Sequence, residues 1–127
     1  MGENGRAHEA LLRALELIDR QLEMYPDDIR ALHFGASANA VVGRRERSLE
    51  LIQRAMTLQP DSGSTLYNVA CAYARLDDKE KALDLLERWG NTGAGGSWIN
   101  KDPDFDELRD EPRFRALLER IERQAVE

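Results

Sequence analysis

One cysteine and two histidines bound the nucleophilic and metal chemistry open to this chain: Cys71, His8 and His33. A cysteine held beside a histidine can form a thiolate nucleophile. The chain repeats with a 34-residue offset, which places His33 opposite Tyr67, with Cys71 one helical turn further along the same neighbouring helix. No oxyanion-hole motif accompanies this pair, and nothing near Cys71 supplies the cation or helix start that would lower its pKa. The simpler reading is a small buried cysteine beside a histidine on the adjoining helix. His8, at the start of the first helix, reads as a solvated surface residue.

Metal chemistry has as little to build on. A zinc site needs three or four ligands, and the two histidines are too far apart for a helical His-x-x-x-His pair. Asp102, Asp104 and Asp106 alternate as calcium ligands do. Pro103 and Phe105 intervene, however, and the glycine and final glutamate of a calcium loop are missing. These acids read as helix-start residues, favoured at the positive end of the helix dipole. Gly93-Ala-Gly-Gly96 lacks the Gly-Lys-Ser/Thr ending of a phosphate loop and reads as a joint. The cluster Arg44-Arg45-Glu46-Arg47 falls in a turn after a helix C-terminus, where cations are favoured. Arginine there also suits contact with a phosphate or an acidic partner. No catalytic, cofactor or metal residue is expected, and the chain does not read as an enzyme.

Composition and charge exclude several classes. The 127 residues carry 24 acidic against 18 basic side chains, a net charge of −6, which is a poor match for a nucleic-acid backbone. A hydrophobic share of 42% is enough for a core. No apolar run approaches a membrane span, and residues 1–10 lack the apolar stretch of a signal peptide. Arg6 stands where a myristoylation site would need Ser or Thr. A lone cysteine leaves no internal disulfide. The expectation is a single domain in the cytoplasm, without nucleic-acid or membrane partners.

The elements that would position any site follow from the repetition. Pro26 and Pro60 lie 34 residues apart, and the same offset aligns Leu15, Leu49 and Leu83, then Leu17, Leu51 and Leu85. Ile18, Ile52 and Leu86 align, as do Arg20, Arg54 and Arg88. Within a period, Leu66, Val69, Ala70 and Tyr73 recur at i, i+3, i+4 and i+7, one face of a helix. Ala82, Leu83, Leu85, Leu86 and Trp89 form a second stripe after a break at Asp77-Asp78. Asp77 with Glu80 resembles a capping box, and Gly90 and Gly43 suit helix ends. A helix is expected over 28–42, and another near Ser64 capped by Asp61 or Ser62. Asp102-Pro103 and Asp110-Glu-Pro112 mark two further starts. Phe114, Leu117, Leu118 and Ile121 make one stripe on a charged final helix. No strand-like alternation occurs, so the fold is expected to be all-α.

Residues 29–60 and 63–96 resemble tetratricopeptide repeats, the 34-residue helix–turn–helix unit. Leu66, Val69, Ala70, Tyr73, Ala82 and Leu86 stand at the family's packing places, with Trp89 where a small residue is usual. In the first repeat Gly35, Asn39 and Ser48 replace the family's leucine, tyrosine and alanine, so looser packing is expected there. Residues 7–25 resemble the second helix of a repeat whose first helix is missing. Residues 97–126 resemble a variant end repeat with a capping helix, of a kind found on bacterial modules attached to cyclases, kinases or transcription regulators.

The resemblance implies a right-handed solenoid of antiparallel helix pairs whose first helices line a concave groove for a peptide or partner protein. Candidate groove residues are Arg30, His33, Phe34, Ser37 and Val41 in one helix, and Ser64, Tyr67, Asn68, Cys71 and Arg75 in the next. Phe34 and Tyr67 are the expected anchors, since aromatic residues dominate interface hot spots. Asn68 stands at one place of the family's clamp for a C-terminal carboxylate. His33 and Ser37 replace two other clamp residues, and Trp98 and Asp102 replace its further basic ones, which disfavours that ligand. The first helix has a second apolar stripe, Ala10, Leu17 and Met24, expected to be covered either by an upstream domain or by a second copy across a two-fold axis, the homodimer being slightly favoured.

Overall fold

The computed structural model describes residues 3–93 and 96–126. Its elements are α1 (Glu3–Met24), α2 (Ile29–Val41), α3 (Arg45–Leu58), α4 (Gly63–Arg75), α5 (Lys79–Asn91), two 3₁₀ segments (Ser97–Lys101 and Pro103–Leu108) and α6 (Pro112–Val126). Among the described residues there is no strand, and no helix is long and apolar enough to cross a membrane. Ala94 and Gly95 of the expected glycine-rich joint lie outside the described residues.

Local chemistry sets most boundaries. Asp28, in an extended conformation, caps α2 by accepting from the Ala31 amide at 3.2 Å. Gly43 takes φ +86° after the end of α2, a conformation that a Cβ would strain. Two expected caps are displaced. Asp78, not Asp77, is the N-cap of α5, accepting from the Lys81 amide at 3.3 Å, while Asp77 itself adopts φ +64°. The left-handed residue after α5 is Gly93, at φ +78°, and Gly90 lies inside the helix. Gly90 is needed for closeness instead: a Cβ there would sit 2.8 Å from Leu117 Cδ1, so α6 approaches α5 at that point. Ser62 occupies the N-cap of α4 without a side-chain capping bond.

The helices pack α2 on α3, α4 on α5, and α2 on α4, with α1 against α2 and α6 against α5. One core runs through them, from Leu22 and Leu32 through Leu51, Ile52, Leu66 and Leu86 to Phe105 and Phe114. Burying each such side chain contributes roughly 1.5–3 kcal/mol. Equivalent tethers recur at the 34-residue offset. The Arg54 guanidinium donates to the Pro26 carbonyl at 2.9 Å, and that of Arg88 to the Pro60 carbonyl at 3.1 Å.

Packing around α2 is tight rather than loose. A Cβ on Gly35 would lie 2.7 Å from Leu51 Cδ1 and 3.2 Å from Ile18 Cγ2, so its absence lets α1, α2 and α3 meet. Asn39 and Ser48 are buried and donate to helix carbonyls, and Asn39 Oδ1 is buried without a hydrogen-bond partner among the described residues. Asn39 Nδ2 donates to Gly35 O and Ser48 Oγ to Ala36 O, both at 2.7 Å. Small residues and internal hydrogen bonds replace the bulk expected at these places.

Candidate functional site

Helix α2 is enclosed on most of its circumference. Ala31, Leu32, His33, Gly35, Ala36, Ala38, Asn39 and Ala40 are all buried. Arg30, Phe34, Ser37 and Val41 remain as one open stripe, spaced by four, three and four residues. Phe34 is 51% exposed and Val41 50%, on a helix whose other apolar residues are covered. Arg30 and Val41 mark the two ends of the stripe, and Ser37 is half-buried between them.

On α4 the register 34 residues on is occupied differently. Ser64 is exposed and Asn68 half-buried, with Asn68 Nδ2 bonded back to Ser64 O at 2.8 Å. Beyond them the 3₁₀ segments fold over the helix. The Tyr67 hydroxyl donates to Asp102 Oδ2. The Tyr67 ring meets Trp98 at 4.9 Å, Trp89 at 5.1 Å and Phe105 at 5.5 Å between centroids, edge-on or tilted as aromatic quadrupoles prefer. Arg75 Nε donates to Asp104 Oδ1 at 2.6 Å. The same short segment is tightened from within: Asp104 N donates to Asp102 Oδ1, and the Arg109 guanidinium donates to the carbonyls of Asn100 and Asp102.

This arrangement corrects the expected groove lining. Cys71 is buried beside Asp102 and Asp104, and Tyr67 is part of an aromatic cluster that joins α4, α5 and the 3₁₀ segments. Arg75 is exposed but engaged by Asp104. His33 is also buried, and its Nε2 lies 3.0 Å from Thr65 Oγ1 rather than at Tyr67 or Cys71. Of the expected groove lining, Arg30, Phe34, Val41, Ser64 and Arg75 are exposed, and Ser37, Tyr67 and Asn68 are partly buried.

Electrostatics argue against thiol chemistry. Burial pushes the Cys71 thiol up, and the carboxylates of Asp104 and Asp102 push it further, so the neutral thiol is held at physiological pH. Burial likewise raises the Tyr67 phenol, with the Asp102 carboxylate adding to it. Burial lowers the pKa of His33, which keeps that imidazole neutral. Cys71, Asp102 and Asp104 bring one ligand atom each within 4.8 Å of one another. Asp102 accepts from the Tyr67 hydroxyl and the Asp104 amide, and Asp104 from the Arg75 guanidinium. The guanidinium supplies the positive charge that a cation would bring.

The exposed half of Trp98 is the surface that sequence reasoning missed. Its ring rests on Tyr67 and Trp89 while about half of it faces water, at the edge of the closed end of α4. Its place depends on a segment crossing back over α4, and no local pattern announces that. The basic cluster opens α3 rather than forming a turn, with Arg44 at the N-cap; Arg45 donates to Leu76 O, and Arg47 pairs with Asp19 and Glu50, each at 3.0 Å. No family model, curated protein or solved structure matches this chain.

Proposed function

We propose that this chain is a non-catalytic protein-interaction module, a tetratricopeptide-type solenoid whose exposed α2 face binds a segment of a partner protein. The observation that carries this reading is the stripe Arg30–Phe34–Ser37–Val41. Two large apolar side chains stand in water on a helix otherwise enclosed by its neighbours. An apolar pair left open along one line of an otherwise enclosed helix is a candidate contact surface. The stripe asks for a ligand with apolar side chains about two helical turns apart and a carboxylate near Arg30. The equal offsets of the Arg54–Pro26 and Arg88–Pro60 tethers support the repeat reading. The net charge of −6 and the neutral Cys71 thiol favour protein binding over nucleic-acid binding or catalysis.

The test is a selection of peptides from a random display library on the intact chain, followed by amide chemical-shift mapping of the best binder. The expected shifts cluster on residues 30, 34, 37 and 41 and spread to 64 and 68. Shifts confined to α5 and α6 would overturn the assignment.

A further inference from the structure

Helix α1 presents apolar residues in two opposite directions. Leu15 and Leu22 are buried against the body of the protein, whereas Leu17 is 64% exposed and Met24 71% exposed. The register makes this unusual. Leu51 and Leu85, at the same column 34 and 68 residues on, are both buried, each in a helix packed on the preceding one, α2 or α4. Leu17 occupies the place of a core leucine with nothing on it.

The open face has a seven-residue repeat of its own. Arg6, Arg13 and Arg20 form one column, Glu9, Glu16 and Glu23 a second, and Ala10, Leu17 and Met24 a third, and all nine are exposed. A seven-residue spacing keeps each column on one side of a helix, the condition for lying along another helix. The columns also cancel in charge, three arginines against three glutamates, although the chain carries −6. The apolar column is graded in size, from Ala10 through Leu17 to Met24. An antiparallel pair sets Ala10 against Met24 of the other copy and Leu17 against Leu17, matching small to large. A parallel pair would leave a gap at one end and crowd the other. Antiparallel packing also opposes the two helix dipoles.

We infer that α1 is the interface of a homodimer, with a second copy of this chain packed antiparallel across a two-fold axis beside Leu17. The proposal is independent of the α2 stripe, which lies on another helix.

The experiment is sedimentation equilibrium of the full chain between ~1 and ~100 μM, where micromolar dimers change mass. The wild type should shift from one chain mass to two. Leu17→Glu, which alters only an exposed side chain, should keep its helical circular dichroism and stay monomeric throughout, its dissociation constant at least ~10-fold higher. Two cysteine variants, Ala10→Cys and Met24→Cys, should form an intermolecular disulfide when mixed and oxidised, and much less of one when either is alone. A wild type that is monomeric at ~100 μM, a dimer indifferent to Leu17→Glu, an assembly larger than two, or cross-linking of each variant with itself would each overturn the proposal.

Discussion

The hydroxyl of Tyr67 donates to the carboxylate of Asp102, 35 residues downstream, and this bond marks where the open face of α4 ends. On the Ser64 side of it the helix meets solvent. On the Arg75 side the 3₁₀ segments lie over it, and Cys71 is buried. The aromatic side chain that sequence spacing offers as a ligand anchor serves instead to hold the chain to itself.

Tyr67→Phe should therefore lower stability by about 1–2 kcal/mol, the value of a half-buried hydrogen bond to a charged group. Tyr67→Ala should lower it by about 3–5 kcal/mol, because the ring joins Trp89, Trp98 and Phe105. Urea unfolding followed by tryptophan fluorescence measures both, since Trp89 and Trp98 touch the altered ring. Equal stability of wild type and Tyr67→Ala would contradict the clustered structure.

Cys71 should label slowly with a neutral-pH thiol reagent in the native protein and rapidly once urea unfolds it. Burial and the nearby carboxylates both keep its thiol protonated. Rapid, stoichiometric labelling of the native chain would show a thiolate that this arrangement does not provide.

Gly35→Leu, which adds an apolar side chain at a buried place on α2, should destabilise rather than stabilise. A Cβ alone would come within 2.7 Å of Leu51, and overpacking of this kind costs roughly 1–3 kcal/mol. Thermal unfolding of the variant decides the point. A higher melting temperature would mean that α2 and α3 have room to spare.

The pH dependence near neutrality should trace to His33. Its folded pKa lies below the ordinary 6.5 because it is buried. As pH falls through 6.5, the unfolded chain takes up a proton that the folded chain does not, so stability falls. Above that value the two states bind equal numbers of protons at this site, and it adds no slope. Unfolding free energies of His33→Gln between pH 7.5 and 5 should be flatter than those of the wild type. An unchanged slope would place the titrating group elsewhere.

The helix boundaries were legible where a local residue determines them. Asp28, Asp102, Pro103, Pro112 and Gly43 act within a turn of their own position, and each does what its chemistry suggests. Repetition located the buried columns because the same helix face recurs every 34 residues, and Leu51, Leu66 and Leu86 are buried accordingly. The open stripe of α2 was within reach for the same reason. The closure over α4 was not, since it needs Phe105 to cross back onto Tyr67, a contact between distant segments that no spacing encodes. The register sets His33 opposite Tyr67, whereas its Nε2 meets Thr65, two residues earlier on the same helix, a contact that a column of aligned residues does not specify. Gly90 shows the same limit, since a glycine used for close approach looks, in sequence, like one used to end a helix, and Gly35, which reads as a loosened packing place, is also a point of close approach.

The most direct test of the binding account compares two variants for affinity towards a peptide selected on the intact chain. Phe34→Ala/Val41→Ala removes the exposed apolar pair and should leave stability within about 0.5 kcal/mol of wild type. Its affinity, measured by isothermal titration calorimetry, should fall at least ~30-fold, the equivalent of a lost hot spot of ~2 kcal/mol. Leu17→Glu, on α1, should bind the same peptide as wild type does. Normal binding by the α2 variant, or loss of binding in the α1 variant alone, would contradict the assignment of the α2 face.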